Sequence, residues 1–265
     1  MTNVESNTEQ NTEPNVGLTM YNLLIESHSW LTRQGPGSPA ATVKALSFLG
    51  ELSRYTRVAD LGCGTGGQTM LLARQLPATI VALDQSPEFI HILNTTVEQA
   101  NLQPRVTGVV GQMEALPFQP SEFDLIWSEG AIDAIGLKTG LLHWRDFLKV
   151  GGYVAFTCPS WFSAEHPPEV DSFWLEAGSA LSSIGDNIAT LQSCGFNFIA
   201  AFALPEECWT ENYFIPRTEA EQKLLQKYSD IPLVMEFLES SRYEIELYER
   251  FGQSYGYAFY IGYKV

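Results

Sequence analysis

The segment VADLGCGTGGQT, residues 58–69, constrains this chain more than any other stretch. An apolar run ending in Asp60 and Leu61 meets a turn with glycines at 62, 64, 66 and 67, and the sequence beyond it suits a helix. Glycines admit positive φ and let a ligand touch the backbone. The helix start that follows offers unpaired N–H groups and a positive field. Such a strand is stable only inside a sheet, and the rest of the sequence supplies one. RVADL (57–61), ATIVALD (78–84), RVTGVVG (105–111), FDLIWSE (123–129), GGYVAFTC (151–158), FNFIAAFAL (196–204) and YGYAFYIGYKV (255–265) read as strands. Residues 66–76, 86–101, 137–148 and 184–194 read as helices, with Ser86 as a cap and Pro87 behind it. This alternation predicts a doubly wound α/β fold. Its sheet is seven-stranded and mostly parallel, the last strand is antiparallel, and helices cover both faces.

Residues 1–16 are polar and predict a disordered tail. A single domain is expected over 17–265, with its core in 56–204 and 255–265. Residues 18–33 have helical spacing, GPGSP (35–39) reads as a turn, and Ser38 with Pro39 caps a helix over 39–53. Two inserts, 159–183 and 205–254, are dense in Trp, Phe and Tyr. Ligands of such sheets sit outside the carboxyl ends of the strands. The helical N-terminal segment and the two inserts are therefore expected to form a lid, with packing against the sheet edge as the alternative. Acidic residues outnumber basic ones 31 to 15, which disfavours nucleic acid and anionic membrane as partners. The first basic residue is Arg33, so a signal peptide is not expected and the cytoplasm is the expected compartment. Cys63, Cys158, Cys194 and Cys208 show no metal-ligand spacing, so free thiols and no metal site are expected.

The glycines satisfy two templates. Gly62, Gly64 and Gly67 fit the dinucleotide pattern GxGxxG, whereas Gly62, Gly64 and Gly66 fit GxGxG. Asp60 separates them. A carboxylate at this spot repels a pyrophosphate and attracts a ligand with a sulfonium and an ammonium. DLGCGTG (60–66) resembles motif I of the class I S-adenosylmethionine (SAM)-dependent methyltransferases. GQMEALPF (111–118) is similar to that family's GDAxxLPF segment, with Gln112 in place of Asp. LKVGGYVAF (148–156) is similar to its LKPGG turn, with Val150 in place of Pro. The resemblance runs over roughly residues 56–160. It implies SAM as cofactor, with Asp60 by the methionine end, Asp84 on the ribose and the peptide around Met113 at the adenine edge. Gly62, Cys63, Gly64, Gly66, Gln85, Gln112, Glu114, Ser128 and Tyr21 are the other implied cofactor contacts.

The implied reaction is in-line methyl transfer to a small-molecule acceptor, in which the protein aligns reactants and excludes water. Glu129, among mostly apolar neighbours at the end of its strand, is the candidate base or binding group for the acceptor. Ser160, Trp161, Phe162, Trp209, Tyr213 and Phe214 are candidates for the acceptor pocket, or else core residues. An NAD(P)-dependent oxidoreductase, a cysteine-based arsenite methyltransferase and a non-catalytic SAM-binding protein are the rival readings. Either a monomer or a homodimer fits the sequence.

Overall fold

The computed structural model describes residues 17–265; the expected tail, 1–16, lies outside the described residues. Helices α1 (Met20–Ser29) and α2 (Pro39–Leu46) come first. The alternating region follows: β1 (Arg57–Leu61), α3 (Gly67–Gln75), β2 (Thr79–Asp84), α4 (Pro87–Gln99), β3 (Val106–Val110), β4 (Phe123–Ser128), α5 (Leu137–Arg145) and β5 (Leu148–Trp161). Then come α6 (Pro168–Glu176), β6 (Ser182–Ser183), α7 (Ile184–Ser193), β7 (Phe196–Ala203), α8 (Ile215–Lys227), α9 (Pro232–Phe251) and β8 (Tyr255–Lys264).

The sheet order is β3-β2-β1-β4-β5-β8-β7, and the two-residue β6 joins the end of β5 as an eighth strand. β1 through β5 pair in parallel, and β8 runs antiparallel to both β5 and β7. The strand order reverses between β1 and β4, which opens a crevice at their carboxyl ends. Strand alternation sends side chains to two faces. Val58, Ile80 and Leu125 join Leu72, Leu93 and Val97 of α3 and α4 in one core. Ala59, Leu83 and Ile126 join Leu141, Trp144 and Leu191 of α5 and α7 in the other.

Two elements differ from their sequence expectations. α2 stops at Leu46 rather than residue 53, and Gly50 instead donates its N–H to the Tyr153 hydroxyl (3.3 Å). β5 runs through Pro159 to Trp161, paired with β8 beyond the point where β4 ends at Ser128 opposite Phe156. Pro159 therefore lies where that side of β5 has no β4 partner, and it pairs in register with Tyr257 of β8.

The two inserts do not line the crevice. Trp161, Trp209, Tyr213 and Phe214 are buried in the first core, where Trp209 stacks on Tyr248 and Tyr257 and Trp161 meets Tyr255 edge-on. Ser160 is buried and bonded to Tyr260, and Phe162 packs over Gly256. The late insert acts at one remove, by holding α1. Leu23 of α1 joins Leu224, Val234, Phe237 and Leu238 of α8 and α9 in a satellite core. His28 bonds the Tyr213 hydroxyl (3.2 Å), and Arg217, paired with Glu244 and Glu221, holds that hydroxyl from the other side (3.3 Å). Burial, aided by the Arg217 charge, depresses His28 to about 4, so this tie is a neutral one.

Candidate functional site

A cleft of about 250 Å³ opens at the carboxyl ends of β1, β2, β3 and β4. Gly62, Cys63 and Gly64 form its floor, and Asp84, Gln85, Ser86 and Phe89 one wall. Gly111, Met113 and Glu114 lie at one end, and Arg33, Glu129, Gly130 and Ala131 at another. Tyr21, Leu24 and Ile25 of α1 cover it, and Tyr21 remains half exposed.

The glycine turn is locked to its neighbours. Gly62 and Cys63 donate N–H to the Leu83 carbonyl at 2.8 and 3.0 Å. Gly62 has φ +69°, and a Cβ there would stand 2.3 Å from the Ala131 Cβ. Gly64 has φ +55°, and a Cβ there would stand 2.0 Å from the Gln34 Oε1. Gly62→Ala therefore combines a left-handed backbone with a clash. We expect it to destabilise the fold by about 2 kcal/mol or more, as measured by chemical denaturation. Unchanged stability would mean that the turn relaxes freely.

Asp84 accepts from the Gly64 N–H and the Ser86 N–H, both at 2.9 Å. A carboxylate has room for about four donors, so acceptor capacity remains for a vicinal diol in the cleft. Burial raises Asp84 above the ordinary Asp value, against the pull of those backbone hydrogen bonds. Met113 is held by the Trp144 Nε1, which donates to its carbonyl (3.3 Å).

Glu129 departs from the expectation of a base in apolar surroundings. Its Oε2 accepts from Arg33 Nη1 at 2.7 Å, and its Oε1 accepts from the Thr42 hydroxyl at 2.7 Å and Trp127 Nε1 at 2.9 Å. The Arg33 and Glu129 side chains are only 9% and 3% exposed. A carboxylate held by an ion pair and two further donors is fixed in place. The pair joins the 33–38 segment to the end of β4.

Four other sequence-derived contacts lie off the cleft lining. Asp60 is fully buried beneath the floor, on the α3 side of β1, where the Thr69 hydroxyl donates to it at 2.5 Å. Ser128 is fully buried because alternation along β4 sends it to the face opposite Trp127 and Glu129. Gln112 is exposed, and its backbone carbonyl accepts from the Ala115 N–H (3.2 Å). Gly66 caps α3 and touches Leu93 instead.

The structure adds residues that sequence reasoning did not select. Among the described residues Arg33 is the one cationic side chain lining the cleft. Gln34 clamps the glycine turn, accepting from the Thr65 N–H (2.9 Å) and donating to the Thr65 hydroxyl (2.8 Å). Their link to the turn is made only by the tertiary fold. Gln68 also lines the cleft, and its amide reaches both the Cys63 carbonyl (3.2 Å) and Asp60 (3.5 Å). The four cysteines are free and buried, and among the described residues no His, Cys, Asp and Glu cluster is disposed to hold a metal. No described helix is long and apolar enough to cross a membrane.

The family described as "Methyltransferase domain" matches residues 58–152. The chain is 36% identical over 103 residues to a malonyl-acyl-carrier protein O-methyltransferase of Herminiimonas arsenicoxydans, covering 38% of this chain and 36% of that protein. It is 34% identical over 119 residues to a trans-aconitate 2-methyltransferase of Mycobacterium tuberculosis, covering 42% and 40%. The matched region thus spans less than half the length of these curated relatives. Among solved structures, a SAM-dependent methyltransferase from Geobacter sulfurreducens in complex with S-adenosyl-L-homocysteine superposes with a TM-score of 0.80 at 18% identity, covering 92% of this chain and 98% of that one. The 4+2 cyclase SpnF superposes with a TM-score of 0.73 at 18% identity, covering 92% and 93%. Residues 58–152 thus match a methyltransferase-domain family, and the chain has the α/β fold seen in the solved SAM-dependent methyltransferase.

Proposed function

We propose that the chain is a SAM-dependent methyltransferase acting on a small-molecule acceptor. The observation that carries this reading is the cleft itself. Glycine floor, strand-end Asp84 and the Met113 segment, drawn from a region matched as a methyltransferase domain, converge at the switch point of the sheet.

The residues fit the cofactor. Gly62 and Gly64 carry no side chain into the cleft floor, so a ligand can lie against their backbone. Asp84 has unused acceptor positions for ribose hydroxyls, and Phe89 and Met113 offer apolar contact for a base. The Arg33–Glu129 pair presents both signs of charge for an amino-acid end. When bound, SAM supplies a methyl group on a positively charged sulfur. The protein's share is alignment and water exclusion. Tyr21, Leu24 and Ile25 shield the cleft, and Arg33 with Gln34 fixes the segment that closes it. Glu129 acts here as a positioning carboxylate. Methyl transfer by displacement needs no built-in base when the acceptor enters as an anion or a neutral amine.

The same fold serves SpnF, so fold alone does not choose the reaction. Calorimetric titration with SAM and NAD tests the cofactor, and a metabolite screen for S-adenosylhomocysteine (SAH) release tests the activity. Binding of NAD in preference to SAM would overturn the proposal. Asp84→Ala should weaken SAM binding by about 1–3 kcal/mol through lost charge-assisted hydrogen bonds. Undiminished affinity would remove Asp84 from the ribose position.

A further inference from the structure

The floor of the cleft covers an acid that has no counter-charge of its own. Asp60, one residue before the end of β1, pairs in register with Ala82 of β2 and Trp127 of β4. Its side chain is fully buried, and it is bonded only by the Thr69 hydroxyl (2.5 Å) and, at the limit of reach, the Gln68 amide (3.5 Å). A buried carboxylate with two neutral donors and no cation is unfavourable, whereas the carboxylic acid is not. The groups around it do not reverse this. Glu129 faces it from the end of β4 with its charge already matched by Arg33, Cys63 follows on the turn, and Asp84 ends the neighbouring β2. α3 presents only neutral Gln68 and Thr69. Burial first, and Glu129 in addition, push Asp60 up to about 7, against the Thr69 and Gln68 hydrogen bonds and the Arg33 charge.

Gln68 connects this acid to the ligand space, since it lines the cleft and touches Asp60. The side chains lining the cleft are rich in acid: Asp84, Glu114 and Glu129 against Arg33 alone. A cation entering the cleft therefore meets a field that already favours it, and beneath the floor a carboxyl poised to ionise.

We propose that Asp60 is a proton-coupled reader of the charge on the donor's sulfur, a carboxylic acid when the cleft holds no sulfonium and a carboxylate when it does. This rests on the methyltransferase reading and deepens it. On binding SAM, the Asp60 carboxyl loses its proton to solvent. SAH lacks the methyl group and the sulfur's positive charge, so the carboxyl keeps or regains a proton from solvent. No electrons move, and the charges balance. Asp60 is thus a specificity-determining residue for fresh donor over spent product, and its discrimination strengthens as pH rises towards neutrality.

Calorimetric titration of the full chain with SAM and with SAH, in phosphate and in imidazole at about pH 6.5, tests this. The dependence of the heat on buffer counts the protons exchanged. At about pH 6.5 the α-amino groups of SAM and SAH are both largely protonated and their carboxylates ionised, so those groups contribute little to the comparison. SAM should release more protons than SAH, by a fraction approaching one. The ratio Kd(SAH)/Kd(SAM) should rise about threefold or more between pH 6 and 7.5 and then level off. In Asp60→Asn both differences should vanish. Equal proton counts for the two ligands in the natural chain, or a difference that persists in Asp60→Asn, overturns the proposal. If Asp60→Asn does not fold, the natural chain's ratio decides alone, and a flat ratio overturns it. Failure of both ligands to bind refutes the methyltransferase reading itself, whereas binding with equal proton release refutes the role of Asp60 alone.

Discussion

Arg33→Met should lower SAM affinity about 100-fold and destabilise the fold by about 3 kcal/mol. Both effects follow from one geometry. Arg33 Nη1 donates to Glu129 at 2.7 Å and Nη2 donates to Thr42 at 3.0 Å, while Thr42 donates on to the other Glu129 oxygen. Removing the guanidinium leaves Glu129, only 3% exposed, as a buried charge without a cation. It also leaves the cleft lining with acids and no base, so a methionine carboxylate would meet only repulsion. Arg33→Lys keeps the charge but not the fork that serves Glu129 and Thr42 together, and should lose about tenfold in affinity. The decisive variant is the double one, Arg33→Met with Glu129→Gln. It removes the orphaned charge, so most of the stability should return, but the cation is still missing, so the affinity should not. Denaturation and calorimetric titration of the three variants give the comparison. Wild-type SAM affinity in Arg33→Met would place the amino-acid end elsewhere in the cleft.

Those experiments concern a residue with no local sequence signal, which is the general reason part of the site stayed hidden. The floor was legible because it is built from neighbours in sequence. A strand, a glycine turn and a helix start dictate Gly62, Cys63 and Gly64, and the next strand end dictates Asp84. Arg33, Gln34 and Thr42 reach the site only because the segment between α1 and α2 crosses the glycine turn, and a long-range crossing leaves no periodicity to read. Ser128 and Gln112 are a different case. Alternation in FDLIWSE already separates Ser128 from Trp127 and Glu129, so that burial was readable from strand geometry. The insert aromatics were ambiguous for a physical reason. Trp161, Trp209 and Tyr213 bury large apolar areas whether they face a ligand or one another, and here they face one another.

Asp60→Asn should make the protein more stable at pH 8 and leave it nearly unchanged at pH 5. Burial carries the folded-state carboxyl from its ordinary value of 3.8 up to about 7. Between those values the folded chain holds one proton more than the unfolded chain, so the contribution of this group to stability falls as pH rises across that window. Below the window the group costs nothing. Above it the fold carries an ionised carboxylate with only Thr69 and Gln68 as donors, a penalty on the order of 4 kcal/mol at 1.36 kcal/mol per tenfold. Asn matches the shape and can still accept from the Thr69 hydroxyl, but its NH2 sits less well beside the Gln68 amide, which removes part of the gain. A net increase of about 2 kcal/mol at pH 8 is expected, or roughly 4–8 °C in Tm for a chain of this size. Asp84, raised by burial as well, titrates in the same direction in both proteins and drops out of the comparison. Thermal melts of the two proteins across pH 5 to 8 give the difference directly. A difference that is constant with pH, or that grows towards pH 5, would show that Asp60 is ionised throughout and that the space beneath the glycine turn holds a cation or water that stabilises it.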